Sequence, residues 1–293
     1  MPAIDRLNTI QFESSSACNA ACRFCTHPDM TRKGRMTEEL FHSIVEQGLA
    51  MGVLHYYPFF LSEPLADVRL RDWMHYLDER VASFSIFTNA QLLTPETADW
   101  LLRAPNIQTL WISFYGVTKE VYETAMQGLS FEISSANVDY AIALFEKLGE
   151  SGESRPEHLF VRMSEYEDNA GQVAAFKERF GSYAPVRRHV NWAGDRPSSY
   201  ARMDLPQWPC SRIMDQMYIT FEGKVVLCCL DGHGKVVLGD ANTEPLRDVW
   251  KRAQGIRDAH RAFDFDFYLC RTCSLNRSAY DPWKGLYQRP EGR

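Results

Sequence analysis

Apolar positions along this chain follow two alternating periods. NTIQFES (8–14), VLHYYPFFL (53–61), SFSIFTN (83–89), IQTLWISFYG (107–116), HLFVRMS (158–164) and PVRRHVNWAG (185–194) are short β-rich runs and predict six strands. Between them lie stretches with helical spacing. Residues 37–51 place Leu40, Phe41, Ile44, Val45 and Leu49 on one face, with Thr37 as cap and Glu38 and Glu39 in the first turn. Leu70, Trp73, Met74 and Leu77 form a second stripe. Thr94 and Pro95 open a helix over 94–102. Further helices are predicted near 118–126, 133–148 and 168–180.

Six βα units in succession predict a parallel sheet with right-handed crossovers. Six is fewer than the eight of a closed barrel. The fold class expected is therefore α/β, a partial (β/α)6 TIM-like barrel over residues 1–195. Chemistry in such folds sits at the carboxyl ends of the strands. The pattern changes near 195. A turn-rich linker precedes two alternating β runs in 217–240, read as a hairpin, and a helix around 245–254. Residues 196–293 are expected to form a small second domain, whose last residues, 280–293, fold over a site or fray.

Composition narrows the function. The chain has 293 residues and a net charge of -6, which argues against a general nucleic-acid binder. No apolar run approaches a membrane span, and the opening MPAIDRLNTIQFES has no signal-peptide core. The cytoplasm is the expected compartment, where cysteines more often bind metal than pair. Eight cysteines fall in two groups: Cys18, Cys22 and Cys25, then Cys210, Cys228, Cys229, Cys270 and Cys273. Two metal sites are expected.

Cys18, Cys22 and Cys25 stand in C-x3-C-x2-C spacing directly after the first strand. Three thiolates grip three corners of a four-iron cube and leave the fourth iron open. The alternative is zinc with a distant fourth ligand such as His27. The later group, C-x12-G-x4-C followed by C-x2-C, supplies four thiolates from Cys210, Cys228, Cys270 and Cys273, enough to close a cluster or a zinc site.

CNAACRFC (18–25) after a first strand resembles the signature of the radical S-adenosylmethionine (radical SAM) enzymes. That resemblance implies a 4Fe-4S cluster whose open iron binds SAM and whose reduction yields a 5′-deoxyadenosyl radical. An external one-electron reductant of flavodoxin or ferredoxin type is implied as partner. Phe24 fits the family's aromatic before the third cysteine. Ser62, Glu63 and Pro64 of LSEP resemble its Gly-Gly-Glu-Pro-like turn, with Leu61 and Ser62 at the glycine positions. Thr88 and Asn89 resemble its Thr-Asn pair after strand three. Ser113, Arg162, Ser164 and Asn191 stand at later strand ends, where SAM contacts are common.

The C-terminal pattern resembles a SPASM or twitch domain, which implies a second, fully protein-ligated 4Fe-4S cluster. The layout C-x17-C-x41-C-x2-C most resembles the single-cluster dehydrogenase group of butirosin biosynthesis, which oxidises an aminocyclitol alcohol. The expected reaction is oxidation of an alcohol in a small polyhydroxylated or amino-sugar metabolite, with the electron passing to the second cluster. Two other reactions stay open: epimerisation with Cys229 as hydrogen donor, and peptide maturation. The first strand begins near residue 8, so no preceding peptide-recognition domain is expected, and a small-molecule substrate is favoured. A zinc-binding interaction protein is the reading from another class. Arg188 and Asp231 are the candidate substrate or proton-transfer residues, with Arg187, His189 and Trp192 nearby. Tyr56, Tyr57 and Phe59 are expected to pack the core or the SAM pocket.

Overall fold

The computed structural model describes residues 6–277, apart from 81, 197–200 and 202. The tail 280–293, expected to cover a site or fray, lies outside the described residues, as does part of the linker.

Among the described residues, nine strands form one open sheet in the order β6-β5-β4-β3-β2-β1-β7-β8-β9. Strands β1 (Thr9–Phe12), β2 (His55–Tyr57), β3 (Ser83–Thr88), β4 (Ile107–Ser113), β5 (His158–Glu165) and β6 (Val186–Arg188) run parallel. They are the expected units of a partial barrel. The C-terminal strands β7 (Gln216–Ile219), β8 (Lys224–Val226) and β9 (Val237–Asp240) continue the same sheet, because β7 pairs parallel with β1.

Helices α1 (Glu38–Ala50), α2 (Leu70–Glu79), α3 (Pro95–Leu102), α4 (Lys119–Ala125), α5 (Phe131–Ser151) and α6 (Val173–Phe180) follow the first five strands. Their stripes meet Ile10, Phe12, Tyr56, Phe84, Ile86, Leu110, Ile112, Val161 and Met163 in one core. The Thr37 side chain accepts from Leu40 N–H at 3.2 Å and starts α1. Phe41 and Trp73 stack at 4.1 Å between α1 and α2. Gly48 lets α1 approach the sheet: a Cβ there would meet the Tyr56 hydroxyl at 2.5 Å.

Several elements differ from expectation. β2 spans three residues because Pro58 follows and has no N–H for a ladder. β6 is equally short, and Trp192 and Ala193 then take positive φ as the chain leaves the sheet. The stretch read as a hairpin is three strands, with residues 227–236 forming a loop between β8 and β9. After α7 (Ser211–Asp215), the predicted helix near 245–254 is α8 (Leu246–Arg252), and a further helix, α9 (Gln254–Arg261), follows it. Helix α9 buries Arg257 and His260, so it shows no apolar stripe in sequence. Among the described residues no helix is long and apolar enough to cross a membrane.

Candidate functional site

The cysteine loop leaves β1 at its carboxyl end. Its base is fixed by Met36 N–H to Ser14 O at 2.8 Å, and its rim by Ala21 N–H to Gln127 O at 2.7 Å. Cys18, Cys22 and Cys25 are half-buried. Burial, with the neighbouring thiols adding to it, pushes Cys18 up to about 11 and raises Cys22. Burial also raises Cys25. The three are neutral thiols in the metal-free chain, so iron binding must displace their protons. His27, the candidate fourth zinc ligand, is buried with Nε2 2.8 Å from Ser16 O. Among the described residues no three His, Cys, Asp or Glu side chains converge on a single-ion site. Ligands on one tetrahedral zinc lie about 3.8 Å apart, given Zn–S of about 2.3 Å. A four-iron cube holds each thiolate on a different iron and requires wider spacing.

Glu63 joins this loop to the next two strand ends. Its N–H donates to Ala17 O at 3.0 Å. Its carboxylate accepts from Thr88 Oγ1 at 2.7 Å, Asn89 N–H at 2.7 Å and Leu65 N–H at 3.2 Å. Burial still lifts its pKa to about 7 against those donors. Asn89 Nδ2 donates to Asn19 Oδ1 at 2.7 Å, which closes the frame around the cysteines. Pro64 starts the short 3-10 turn after Glu63. Ser62 Oγ is buried without a protein partner and remains available to a ligand.

Farther along the sheet, Phe24 packs edge-on to Tyr115 at 4.6 Å and lies 5.3 Å from Tyr166. Register aligns Ser113 with Arg162 and Ser164 with Arg187, so these side chains share the inner face. Arg162 Nε is buried with no partner. A polar, half-satisfied inner wall of this kind fits a bound ligand with both donor and acceptor groups.

The later cysteines gather at the far side of β1. Cys210, Cys228, Cys270 and Cys273 are buried in a second apolar cluster with Phe60, Leu61, Ile213, Tyr218 and Leu269. Burial raises Cys228 well above the ordinary thiol value, and Cys229, Cys273 and Cys270 add to it. Cys270 is pushed up to about 12 by burial and Cys273. The spacing glycine, Gly223, has φ +88° in the β7–β8 turn and would meet Asn242 Nδ2 at 2.1 Å if it carried a Cβ.

This cysteine set has a family. Residues 210–274 match SPASM, an iron-sulfur cluster-binding domain. No curated protein matches the chain in sequence. Its fold resembles the structure of BtrN in complex with AdoMet and 2-DOIA, with TM-score 0.61, 18% identity, and 91% of this chain and 92% of that one covered. It also resembles Streptococcus suis SuiB bound to precursor peptide SuiA, with TM-score 0.64, 16% identity, and coverage of 93% and 71%. A third similar structure is native anSMEcpe with bound AdoMet, with TM-score 0.63, 17% identity, and coverage of 86% and 83%.

Three expected site residues have these surroundings in the fold. Asn191 is a clamp: its N–H donates to Ser274 Oγ at 2.9 Å, its Nδ2 to Thr272 O at 2.7 Å, and its Oδ1 accepts from Ser274 N–H at 2.9 Å. Both ends of its amide bond the Cys270–Cys273 loop. Asp231 caps a turn, accepting from Lys235 N–H at 2.7 Å and Val236 N–H at 2.8 Å. Arg188 is exposed, in register with Glu165 and on the opposite face from Ser164 and Arg162. His189, by contrast, is buried against Phe24 and Tyr166.

Other residues were missed by sequence reasoning. Arg212, two positions after Cys210, donates from Nε to Cys229 Sγ at 3.0 Å. Arg32 pairs with buried Glu13 and donates from Nη2 to Gly232 O at 3.0 Å. That strut ties the first cysteine loop to the SPASM region. Leu61, at a glycine position of the turn pattern, packs on Gly232, where a Cβ would lie 1.9 Å from it. No spacing rule in one sequence signals these contacts, and those that reach Gly232 join segments 171 to 200 residues apart.

Proposed function

We propose that this chain is a radical SAM enzyme that oxidises an alcohol in a small polyhydroxylated or amino-sugar metabolite. The observation that carries the reading is the pair of separate thiol sets, three on the loop after β1 and four in the SPASM region, with polar strand-end residues between them. When bound, the open cluster with SAM supplies a radical that takes a hydrogen atom from carbon, and the closed cluster supplies a place for an electron.

The chain's own residues then have these tasks. Cys18, Cys22 and Cys25 hold the first 4Fe-4S cluster, and Cys210, Cys228, Cys270 and Cys273 hold the second. Ser62, Thr88, Asn89, Ser113, Arg162 and Ser164 orient SAM, with Phe24 packing below the loop. Glu63 and Pro64 keep the turn in shape. Oxidation removes a hydrogen atom, then a proton and an electron, and leaves a ketone. A flavodoxin- or ferredoxin-type protein supplies the electron that starts each turnover.

Cys229 bears on the epimerase alternative. Its sulfur already accepts a hydrogen bond from Arg212, which favours a polar wall over a hydrogen-atom donor. Peptide maturation shares the first half of the chemistry and differs in the substrate.

The test is anaerobic reconstitution with iron and sulfide, then incubation with SAM, reductant and deuterated aminoglycosides. Deuterium in 5′-deoxyadenosine with a ketone product supports the proposal. A colourless, zinc-only protein rejects it. Inverted substrate that depends on Cys229 selects the epimerase, and turnover of a peptide alone selects the maturase.

A further inference from the structure

Two guanidinium groups meet the inner side of the sheet. Arg162 extends from β5 with its Cζ 5.8 Å from the centre of the Phe87 ring, and its Nε is buried with no partner among the described residues. Arg212 extends from α7 and spends its Nε on Cys229 Sγ. The groups acting electrically on Arg162 are Tyr115, Arg212 and Cys229, and those on Arg212 are Cys229, Tyr218 and Cys210. Tyr57, on the inner face of β2, also feels Arg212. Cys229 leads the groups that hold the Arg212 charge, and Asp215 of the same helix shares the Tyr57 neighbourhood with it.

Like charges held together on a half-buried wall repel, and an opposite charge relieves that repulsion. A guanidinium also has five N–H donors, and one bond to sulfur leaves the terminal amino groups of Arg212 to fill. Their geometry suits the two oxygens of a carboxylate or phosphate.

We propose that the substrate carries an anionic group and that Arg212 holds it on the inner wall beside Cys229. This rests on the radical SAM reading, in which the SAM carboxylate takes Arg162 and leaves Arg212 to the substrate. The substrate class is thereby narrowed to polyhydroxylated compounds bearing a carboxylate or phosphate.

The test uses reconstituted enzyme with SAM, titrated by calorimetry with gluconate, glucitol 6-phosphate and glucitol. The three share a polyhydroxylated chain and differ in charge. The expected result is binding of an anionic ligand at least about ten-fold tighter than glucitol. The better of the two anionic ligands identifies the group. Arg212→Gln removes the preference, Arg212→Lys keeps a weakened one, and Arg188→Gln leaves it intact. Equal binding of all three ligands, no binding of either anionic ligand, or equal losses for charged and neutral ligands in Arg212→Gln overturns the proposal. So does a change confined to the midpoint potential of the SPASM cluster, which makes Arg212 a counter-ion for that cluster. If Arg212→Gln takes up no iron, the Lys variant decides. Iron content and SAM cleavage by the unaltered enzyme report separately on the radical SAM reading.

Discussion

The cysteine loop after β1 and the cysteines of the SPASM region differ in what surrounds the sulfur. The first three are half-buried on a loop whose neighbours include unsatisfied polar atoms, such as Ser62 Oγ. Cys18 also lines a cavity of about 630 Å³ with Ser16, His27 and Lys33. The later four are buried among Leu, Ile, Phe and Tyr side chains, and their loops are clamped from both sides. An open site needs approach for a ligand, and a closed one needs exclusion of water. The contrast lies in the packing around the thiols as well as in their number.

The largest way to break this comparison is to remove one sulfur from each side. Cys22→Ala is expected to abolish SAM cleavage and lower iron by about half, with the second cluster retained. Cys270→Ala should lose a similar share of iron yet keep cleaving SAM without forming product. Iron analysis and 5′-deoxyadenosine assays read both. If Cys270→Ala also stops cleavage, the two sites are not separable.

Next in size is the clamp. Asn191→Ala removes the two side-chain hydrogen bonds to the 272–274 segment, keeps the backbone bond to Ser274 Oγ, and leaves Ser274 N–H buried, a loss of about 2–3 kcal/mol. Denaturant unfolding measures it, and cluster loss should be confined to the SPASM region. Gly223→Ala forces a side chain into positive φ against Asn242 and should cost about 2 kcal/mol. The first cysteine loop should be indifferent to it.

The smallest effect is acid sensitivity of the metal-free fold. Burial lowers His55 and His189 to about 4 from an ordinary value near 6.5. Between those values the unfolded chain binds protons that the folded chain refuses, so stability falls as pH drops from 6.5 toward 4. Thermal midpoints should fall by a few degrees over that window. His55→Gln should flatten the slope, and an unchanged slope in that variant removes His55 from the account.

Much of the fold was legible because parallel strands and their covering helices bury continuous apolar faces. Thr37, Thr94 and the stripe Leu70, Trp73, Met74 and Leu77 announced their helices, and all three helices are present. Helix α9 was not legible, since its buried side chains are Arg257 and His260. β7 adds to β1 and carries the sheet onward from residues 9–12 to 216–219. Pairing between segments this far apart leaves no local period.

The sequence by itself determined the cysteine counts, three then four, the strand–loop placement of the first set, and the αβ order that carries both. Those properties depend on spacing and period, which are local. Only the tertiary structure decided that Asn191 bonds the 272–274 segment, that Asp231 caps a turn, that Arg188 is exposed beside Glu165 in register, and that Arg212 meets Cys229. Those depend on which donors and charges meet after folding, and a polar residue at a strand end has no way to declare its partner in advance.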